Sequence, residues 1–295
     1  MDVSGNRALL IINRRSGDGL RPTELATAAL EKAGFEVDAH SPEDPAKIPE
    51  LIQEHAGQSA RIVLGGGDGT FSRAASSLIA SDRPVGFLPM GTANDLARTL
   101  GIPADIVAAA KIAAGDRRRL IDLGTINDRP FFNVASMGFS ARVAQYHEGE
   151  RKSRFKLLSY PISWLDAQRD MEPFEVTMRY GKRKRKFRST MVAVGNGVHY
   201  GGGLRIADDA AIDDGWLDVF YVKPLGPWGM LKLLPFLKFG ALKRRQDVRT
   251  VRAKALTIEI DPVQDINVDG EIVEKTPARF GMLRQALEVF VPVPR

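Results

Sequence analysis

The sequence predicts an α/β domain over residues 1–120, followed by a β-rich, sandwich-like domain over residues 121–295 whose last residues are free to return to the first domain. Three observations predict it. Strand and helix signals alternate along the first 115 or so residues. From about Leu120 onward, strand-like segments dominate and are spaced by turn signals. The 295 residues also suffice for two cores, at roughly 100–200 residues per domain.

Taken in order, Ala8–Asn13 is a short, almost wholly apolar run, the pattern of a buried parallel strand. A Ser-Gly-Asp-Gly loop follows, then a helical pattern through Leu25, Ala28, Ala29 and Ala33 that Gly34 stops. FEVDAH is a second strand and Lys47–Ala56 a second helix. Arg61–Leu64 is a third strand, followed by a helix over about Phe71–Ala80. PVGFLP is a fourth strand, and a further helix runs from near Asn94 to Gly101. The polar stretch between Gly115 and Asp122 marks the boundary. Beyond it, FFNVASMGF, FEVTMRY, FRSTMVAVGN, WLDVFYV, ALTIEI, INVDGEIV and ALEVFVP read as strands. Helical patterns intrude near Arg154–Arg169 and Gly229–Leu242.

Composition bounds the class. Hydrophobic residues are 44% and charged residues 26%, ordinary for a globular chain. With no cysteine, disulfides and thiolate metal sites are excluded, and a reducing compartment is consistent. No stretch reaches the ~20 apolar residues of a membrane span, and the polar start does not resemble a signal peptide. A cytoplasmic protein is therefore expected. The net charge of +6 suits anionic membranes, phosphorylated ligands or nucleic acid. Basic runs lie at Arg117–Arg119, Lys182–Lys186 and Lys243–Arg245; the second is expected at a hairpin tip, after Gly181. His40, His55, His147 and His199 show no metal-ligand spacing and read as structural.

Two loops carry the chemistry. Gly65, Gly66, Gly67, Asp68, Gly69 and Thr70 stand between a strand and a helix, where glycines bring backbone N–H groups close to phosphate. A structural glycine turn explains the same letters. Asp68 is out of place in a simple anion site and calls for a cation, a water or an acceptor hydroxyl; Thr70 can cap the helix. The second loop has Gly91 and Thr92 in a tight turn, with Asn94 and Asp95 as candidate caps. Both loops sit at the carboxyl ends of parallel strands, where open α/β sheets bind ligands. Further on, Asp214-Gly215 and Asp269-Gly270 are turn signals, each leading into a strand.

GGDGT followed some twenty residues later by P-x-G-T-x-N-D-x-A resembles the catalytic domain of diacylglycerol, sphingosine and ceramide kinases, and most of all the bacterial lipid kinases of about this length. The first motif alone is shared with NAD kinases. Asn13-x-x-Ser16-Gly17, the glycines before Asp214 and Asn267-x-Asp269-Gly270-Glu271 extend the likeness over nearly the whole chain.

The resemblance implies a Rossmann-like ATP-binding domain and a β-sandwich-like second domain. It also implies an ATP- and Mg2+-dependent kinase of a lipid hydroxyl, with diacylglycerol leading over ceramide, a sphingoid base or phosphatidylglycerol. The nucleotide side would be Asn13, Arg14, Arg15, Ser16, Gly17, Ser41, Gly66–Thr70 and Thr92. Arg14 departs from the family, which usually has proline there. Asp214 with the carbonyls of Ala211 and Trp216 would hold magnesium, oxygen ligands that suit a hard cation. Asp68, Asp95 and Asp214 would form an acidic network, and Glu271 or Asp269, in that order, would take the proton.

A membrane lipid substrate requires peripheral contact with an anionic inner membrane face. The segment around Leu231, Leu234, Phe236, Leu237 and Phe239 can lie in an interface or can cover the β domain. NAD kinase and a non-catalytic lipid- or nucleic-acid-binding protein are the rival classes; no nucleic acid is expected, and a homodimer is left open.

Overall fold

A computed structural model describes residues 6–16, 21–139, 172–197, 199–200, 204–205, 211–226, 229, 236 and 245–293. The chain divides into two compact units: residues 1–123, 201–203 and 283–295 form one, and residues 124–200 and 204–282 the other.

In the first unit, strands β1 (Arg7–Ile12), β2 (Glu36–His40), β3 (Arg61–Gly66) and β4 (Val85–Pro89) alternate with helices α1 (Arg21–Lys32), α2 (Ile48–His55) and α3 (Asp68–Ser81). Two short helices follow β4: α4 (Asp95–Leu100) and α5 (Ile106–Ala114). The strand order is β2-β1-β3-β4, all parallel, and Val289 pairs in parallel with Val85 on the outer side of β4. The apolar runs have become buried strands: β3 and β4 are buried at every position. The helices bury one stripe each, Ala26 and Leu30 of α1, Ile48 and Ile52 of α2, Phe71, Ala74, Ala75 and Leu78 of α3. Each spacing is the three- or four-residue step that keeps side chains on one helix face.

The second unit is antiparallel. Its strands are, in chain order, the end of β5 (Arg118–Ile126), β6 (Arg129–Phe131), β7 (Val134–Gly138), β8 (Phe174–Tyr180), β9 (Arg183–Ser189), β10 (Met191–Gly195), the short pair β11 (His199–Tyr200) and β12 (Leu204–Arg205), β13 (Leu217–Val222), β14 (Val248–Ala253), β15 (Leu256–Asp261), β16 (Asp265–Val268), β17 (Glu271–Lys275) and the start of β18 (Ala278–Phe290). One sheet runs β14-β13-β10-β7-β16-β17, and β18-β15-β8-β9 is a second antiparallel set. Phe174, Val176 and Met178 of β8, Val192 and Val194 of β10, Leu217 and Val219 of β13, Ile258 of β15 and Phe280 of β18 form one buried cluster. These are alternate residues of each strand, as a half-buried sheet requires.

Several local expectations need correction. The basic run starts at the expected hairpin tip but continues beyond it. Only Lys182 lies in the turn between β8 and β9, while Arg183–Lys186 are exposed residues of β9, at the end of its strand order. FRSTMVAVGN is two strands, β9 and β10, broken at Thr190. The boundary stretch is not a turn throughout, since Arg118 and Arg119 open β5. Helix α5 and strand β14 stand where no element is expected. Of the two helical patterns in the β-rich half, Arg154–Arg169 lies outside the described residues, and so does Gly229–Leu242 apart from Gly229 and Phe236.

Candidate active site

The first group of candidate residues lies in the first unit, at the carboxyl ends of β1, β3 and β4. Asn13 follows β1 and is buried. Its N–H donates to the carbonyl of Gly65 at 2.9 Å, and its carbonyl accepts from Ser16 N–H at 2.9 Å. The Asn13 side chain then joins two loops: Oδ1 accepts from Arg15 N–H at 3.0 Å, and Nδ2 donates to Thr70 Oγ1 at 2.8 Å. Thr70 is therefore not a cap. It is the third residue of α3, whose N-cap is Gly67, and its hydroxyl accepts.

Arg14 fills the position of the expected proline by pairing with Glu43 at 3.0 Å on the surface. An exposed pair of this kind contributes about 0–1 kcal/mol, so it orders the loop weakly. Ser41 shares a 2.8 Å hydrogen bond with Thr23 and so ties the end of β2 to α1. Gly17 lies outside the described residues.

The two glycine loops touch backbone to backbone. A Cβ built on Gly91 would stand 2.7 Å from Gly67 Cα, and one on Gly67 would stand 3.1 Å from Gly91 Cα. Any side chain at Gly91 would push the loops apart. Met90 N–H adds a bond to Gly66 carbonyl at 2.8 Å. Asn94 sits in the left-handed region with φ 51° and does not cap α4 with its side chain. Instead its amide closes the turn on Gly91, accepting from Gly91 N–H at 2.8 Å and donating to Gly91 carbonyl at 2.9 Å. Thr92 lies exposed at this turn, and Asp95 is buried at the start of α4.

Asp68 is the cap that α4 lacks locally. Its two carboxylate oxygens accept from Asp95 N–H and Leu96 N–H, each at 3.1 Å. Burial raises the Asp68 pKa above the ordinary carboxylate value; the two N–H groups oppose that shift, and the negative charge of Asp95 reinforces it. The anomalous acidic residue of the first loop thus holds the second loop in place.

The second group lies in the second unit. Val268-Asp269-Gly270-Glu271 is a two-residue hairpin turn joining β16 to β17, with Val268 paired to Glu271. Both turn residues have positive φ, 47° at Asp269 and 99° at Gly270. That is the type I′ geometry which favours Asp-Gly. Asp269 is buried, and its carboxylate accepts from three successive backbone N–H groups: Phe132 at 2.8 Å, Asn133 at 2.9 Å and Val134 at 3.0 Å. Three of a carboxylate's roughly four acceptor sites are thereby filled. Glu271 is half-buried at the head of β17.

Asn133 stands in none of the sequence motifs, and Asn267 opens the Asn-x-Asp-Gly-Glu motif without a role of its own. Asn133 Oδ1 and Asn267 Nδ2 are buried and lack a hydrogen-bond partner among the described residues. Buried polar atoms left in this way are rare and mark places where a ligand can complete the pairing.

At the Asp214 turn, Oδ1 accepts from Trp216 N–H at 3.0 Å and Oδ2 pairs with Arg252, while Ala211 carbonyl accepts from Asp214 N–H at 3.3 Å. The donors are all oxygens, which fits a hard cation in kind, with Arg252 sharing the carboxylate.

A third cluster stands on β2 and at the end of α2, with His40 directly before Ser41. His40 Nε2 and His55 Nδ1 each share a hydrogen bond with Asp38, at 2.8 and 2.9 Å. Burial would raise the Asp38 pKa, but the hydrogen bonds and charges of the two rings hold it below the ordinary carboxylate value. The two histidines are thus partners, which their separation in the sequence conceals.

Comparison with known proteins follows the same division. Residues 7–126 match the model of the diacylglycerol kinase catalytic domain, and residues 133–291 match that of the YegS C-terminal NAD kinase beta sandwich-like domain. A diacylglycerol kinase of Staphylococcus saprophyticus is 28% identical over 294 residues, covering 97% of this chain and 95% of the relative. One of Staphylococcus aureus is 29% identical over 295 residues, covering 97% and 92%. Among solved structures, a Bacillus anthracis protein assigned provisionally to the diacylglycerol kinases aligns with a TM-score of 0.81 at 25% identity, covering 97% of each chain.

Proposed function

Because the chain belongs to the diacylglycerol kinase family, a family of ATP-using lipid kinases, we propose that it transfers the γ-phosphate of ATP to the free hydroxyl of diacylglycerol, giving phosphatidic acid and ADP. The observation that carries this reading is the Asp68 carboxylate bridging the two glycine loops. It makes one rigid, backbone-lined surface at the ends of three parallel strands, the place where such sheets receive phosphates. The choice of diacylglycerol rests on the relatives that carry that name.

Phosphoryl transfer asks mainly for positioning and charge neutralisation. In this reading, the loops of Asn13 and Arg15, of Gly66–Thr70 and of Gly91–Thr92 position the triphosphate. The lipid oxygen forms a bond to the γ-phosphorus as the bond to the β-bridging oxygen breaks. The hydroxyl proton passes to Glu271. Asp269, committed to three N–H groups, fixes the turn that presents Glu271 and takes no proton. Asn133 and Asn267 offer an unpaired acceptor and an unpaired donor beside that turn, suited to orienting the acceptor's polar end.

A magnesium ion would be held by Asp214 with the carbonyls of Ala211 and Trp216, and would supply positive charge there when bound. Among the described residues no helix is long and apolar enough to cross a membrane. In this reading the lipid is met by peripheral contact. The exposed cations of β9 favour an anionic surface for that contact.

The test is a panel of acceptors with labelled ATP: diacylglycerol, ceramide, a sphingoid base and phosphatidylglycerol in mixed micelles, and NAD without lipid. Diacylglycerol is expected to be phosphorylated at least tenfold faster than any other. A faster rate on another lipid overturns the substrate assignment, and transfer to NAD alone overturns the lipid reading.

A further inference from the structure

Asp38 and His40 are two residues apart on β2 and so project from one face of it. His55 is the last residue of α2. The chain folds so that both rings meet the same carboxylate: His40 Nε2 lies 2.8 Å from Asp38 Oδ1, and His55 Nδ1 lies 2.9 Å from Asp38 Oδ2. The rings lie against each other, with centroids 4.2 Å apart. From this convergence we propose that Asp38, His40 and His55 form a binding site for a divalent transition-metal ion of the zinc type.

Three observations support it. Two imidazoles and a carboxylate are the ligand types such ions prefer, and three protein ligands leave a fourth position for water. The three ligand atoms all lie within 4.8 Å of one another. Around a tetrahedral ion with bonds of roughly 2.1 Å, ligand atoms stand about 3.4 Å apart. The present separations are shorter because protons lie in them. An ion replaces those protons if each ring withdraws by about half an ångström, and the side chains have room: 24% of His40, 29% of His55 and 16% of Asp38 remains exposed.

The surrounding shell is also built. Arg7 donates to Asp38 Oδ2 at 3.1 Å and to Gln58 Oε1 at 3.2 Å, which fixes the carboxylate's orientation. Glu54 stands 3.9 Å from His55 Nε2, on the side of that ring away from the ion. Carboxylates placed there are the usual outer partners of metal-bound histidine. Arg7 works against binding as well, because its positive charge shares the ligand carboxylate. The site is therefore weaker than a closed structural zinc site. Nothing in it depends on the phosphotransfer groups, so it stands whether or not the lipid assignment does.

Calorimetric titration of the full, metal-stripped chain with zinc sulfate tests the proposal. The expected result is one equivalent bound, with affinity at least tenfold lower in His40→Ala and in His55→Ala and unchanged in Glu259→Ala. A second measurement needs no variant: modification of the wild-type histidines by diethylpyrocarbonate, mapped by mass spectrometry, with and without zinc. Protection of both His40 and His55 by one equivalent supports the site. Failure to bind zinc, zinc binding that survives both histidine substitutions, or equal modification of the two rings with and without zinc overturns it.

Discussion

Replacing Asp68 with alanine removes both acceptors from the start of α4 in a single step. Hydrogen bonds to a charged acceptor are worth about 1.5–3 kcal/mol each, so the gross loss is about 3–6 kcal/mol. Burial of the carboxylate offsets part of this, as the raised pKa of Asp68 shows; a net cost of about 2–4 kcal/mol follows. At roughly 2–4 °C per kcal/mol for a chain of this size, the melting temperature should fall by about 4–16 °C. The second loop would no longer be held against the first, and lipid kinase activity should drop by well over tenfold, the equivalent of ~1.4 kcal/mol.

Asp68→Asn separates charge from shape, since the amide keeps one acceptor. The pH dependence then has a definite sign. A raised native pKa means protonation of Asp68 favours the folded state. That increment is complete below the unfolded value of ~3.9 and is lost as pH rises through the raised native value. The asparagine variant lacks it, so its stability deficit relative to wild type should narrow as pH climbs through that window. Micelle assays and melting curves measured side by side decide the matter. If Asp68→Ala keeps activity within tenfold and melts with the wild type, the bridging role is refuted.

Three further outcomes are expected. Glu271→Gln should slow turnover by ~10²–10⁴-fold, the range for loss of a general base, with ATP affinity unchanged; near-normal turnover would remove Glu271 as the proton acceptor. Asp269→Asn replaces one carboxylate oxygen with an amide that faces N–H donors, and should cost about 2–4 kcal/mol in urea unfolding; a cost below ~0.5 kcal/mol would show that the three hydrogen bonds do not support the turn. Asp214→Ala should raise the magnesium concentration needed for half-maximal rate more than it raises that of ATP, and an unchanged magnesium requirement would place the ion elsewhere.

What could be read from the letters was mostly local. The alternation of β1–β4 with helices, the Asp269-Gly270 hairpin and both glycine loops all follow from short-range patterns, and all are present. Helix α5 is signalled only by Asp105, whose side chain caps it by accepting from Ala108 N–H, ahead of a run rich in alanine. Strand β5 is hidden because its arginines look like a turn. The site's second-tier bonds leave no trace in spacing. Asp68 is 27 and 28 residues from the N–H groups it holds, and Asp269 more than 130 from its own. Asp38 gathers its histidines from a strand and a helix end. Such partners are chosen by the fold, and only the fold reveals them.

Strand β18 has a consequence for how the molecule is made. Its residues from Leu283 onward belong to the first unit, where Leu287, Val289 and Phe290 are buried and Val289 pairs with β4. A ribosome therefore releases residues 1–123 long before the strand that covers them. At about 5–20 residues per second, the 159 residues from 124 to 282 take roughly 8–32 s to appear. Through that interval the nascent first unit carries β4 as a bare, apolar edge, the kind of surface that pairs with other chains. A gene fragment ending at residue 123 makes the interval permanent. Expressed alone, it should aggregate, and joining residues 283–295 to it through a short flexible linker should recover soluble protein.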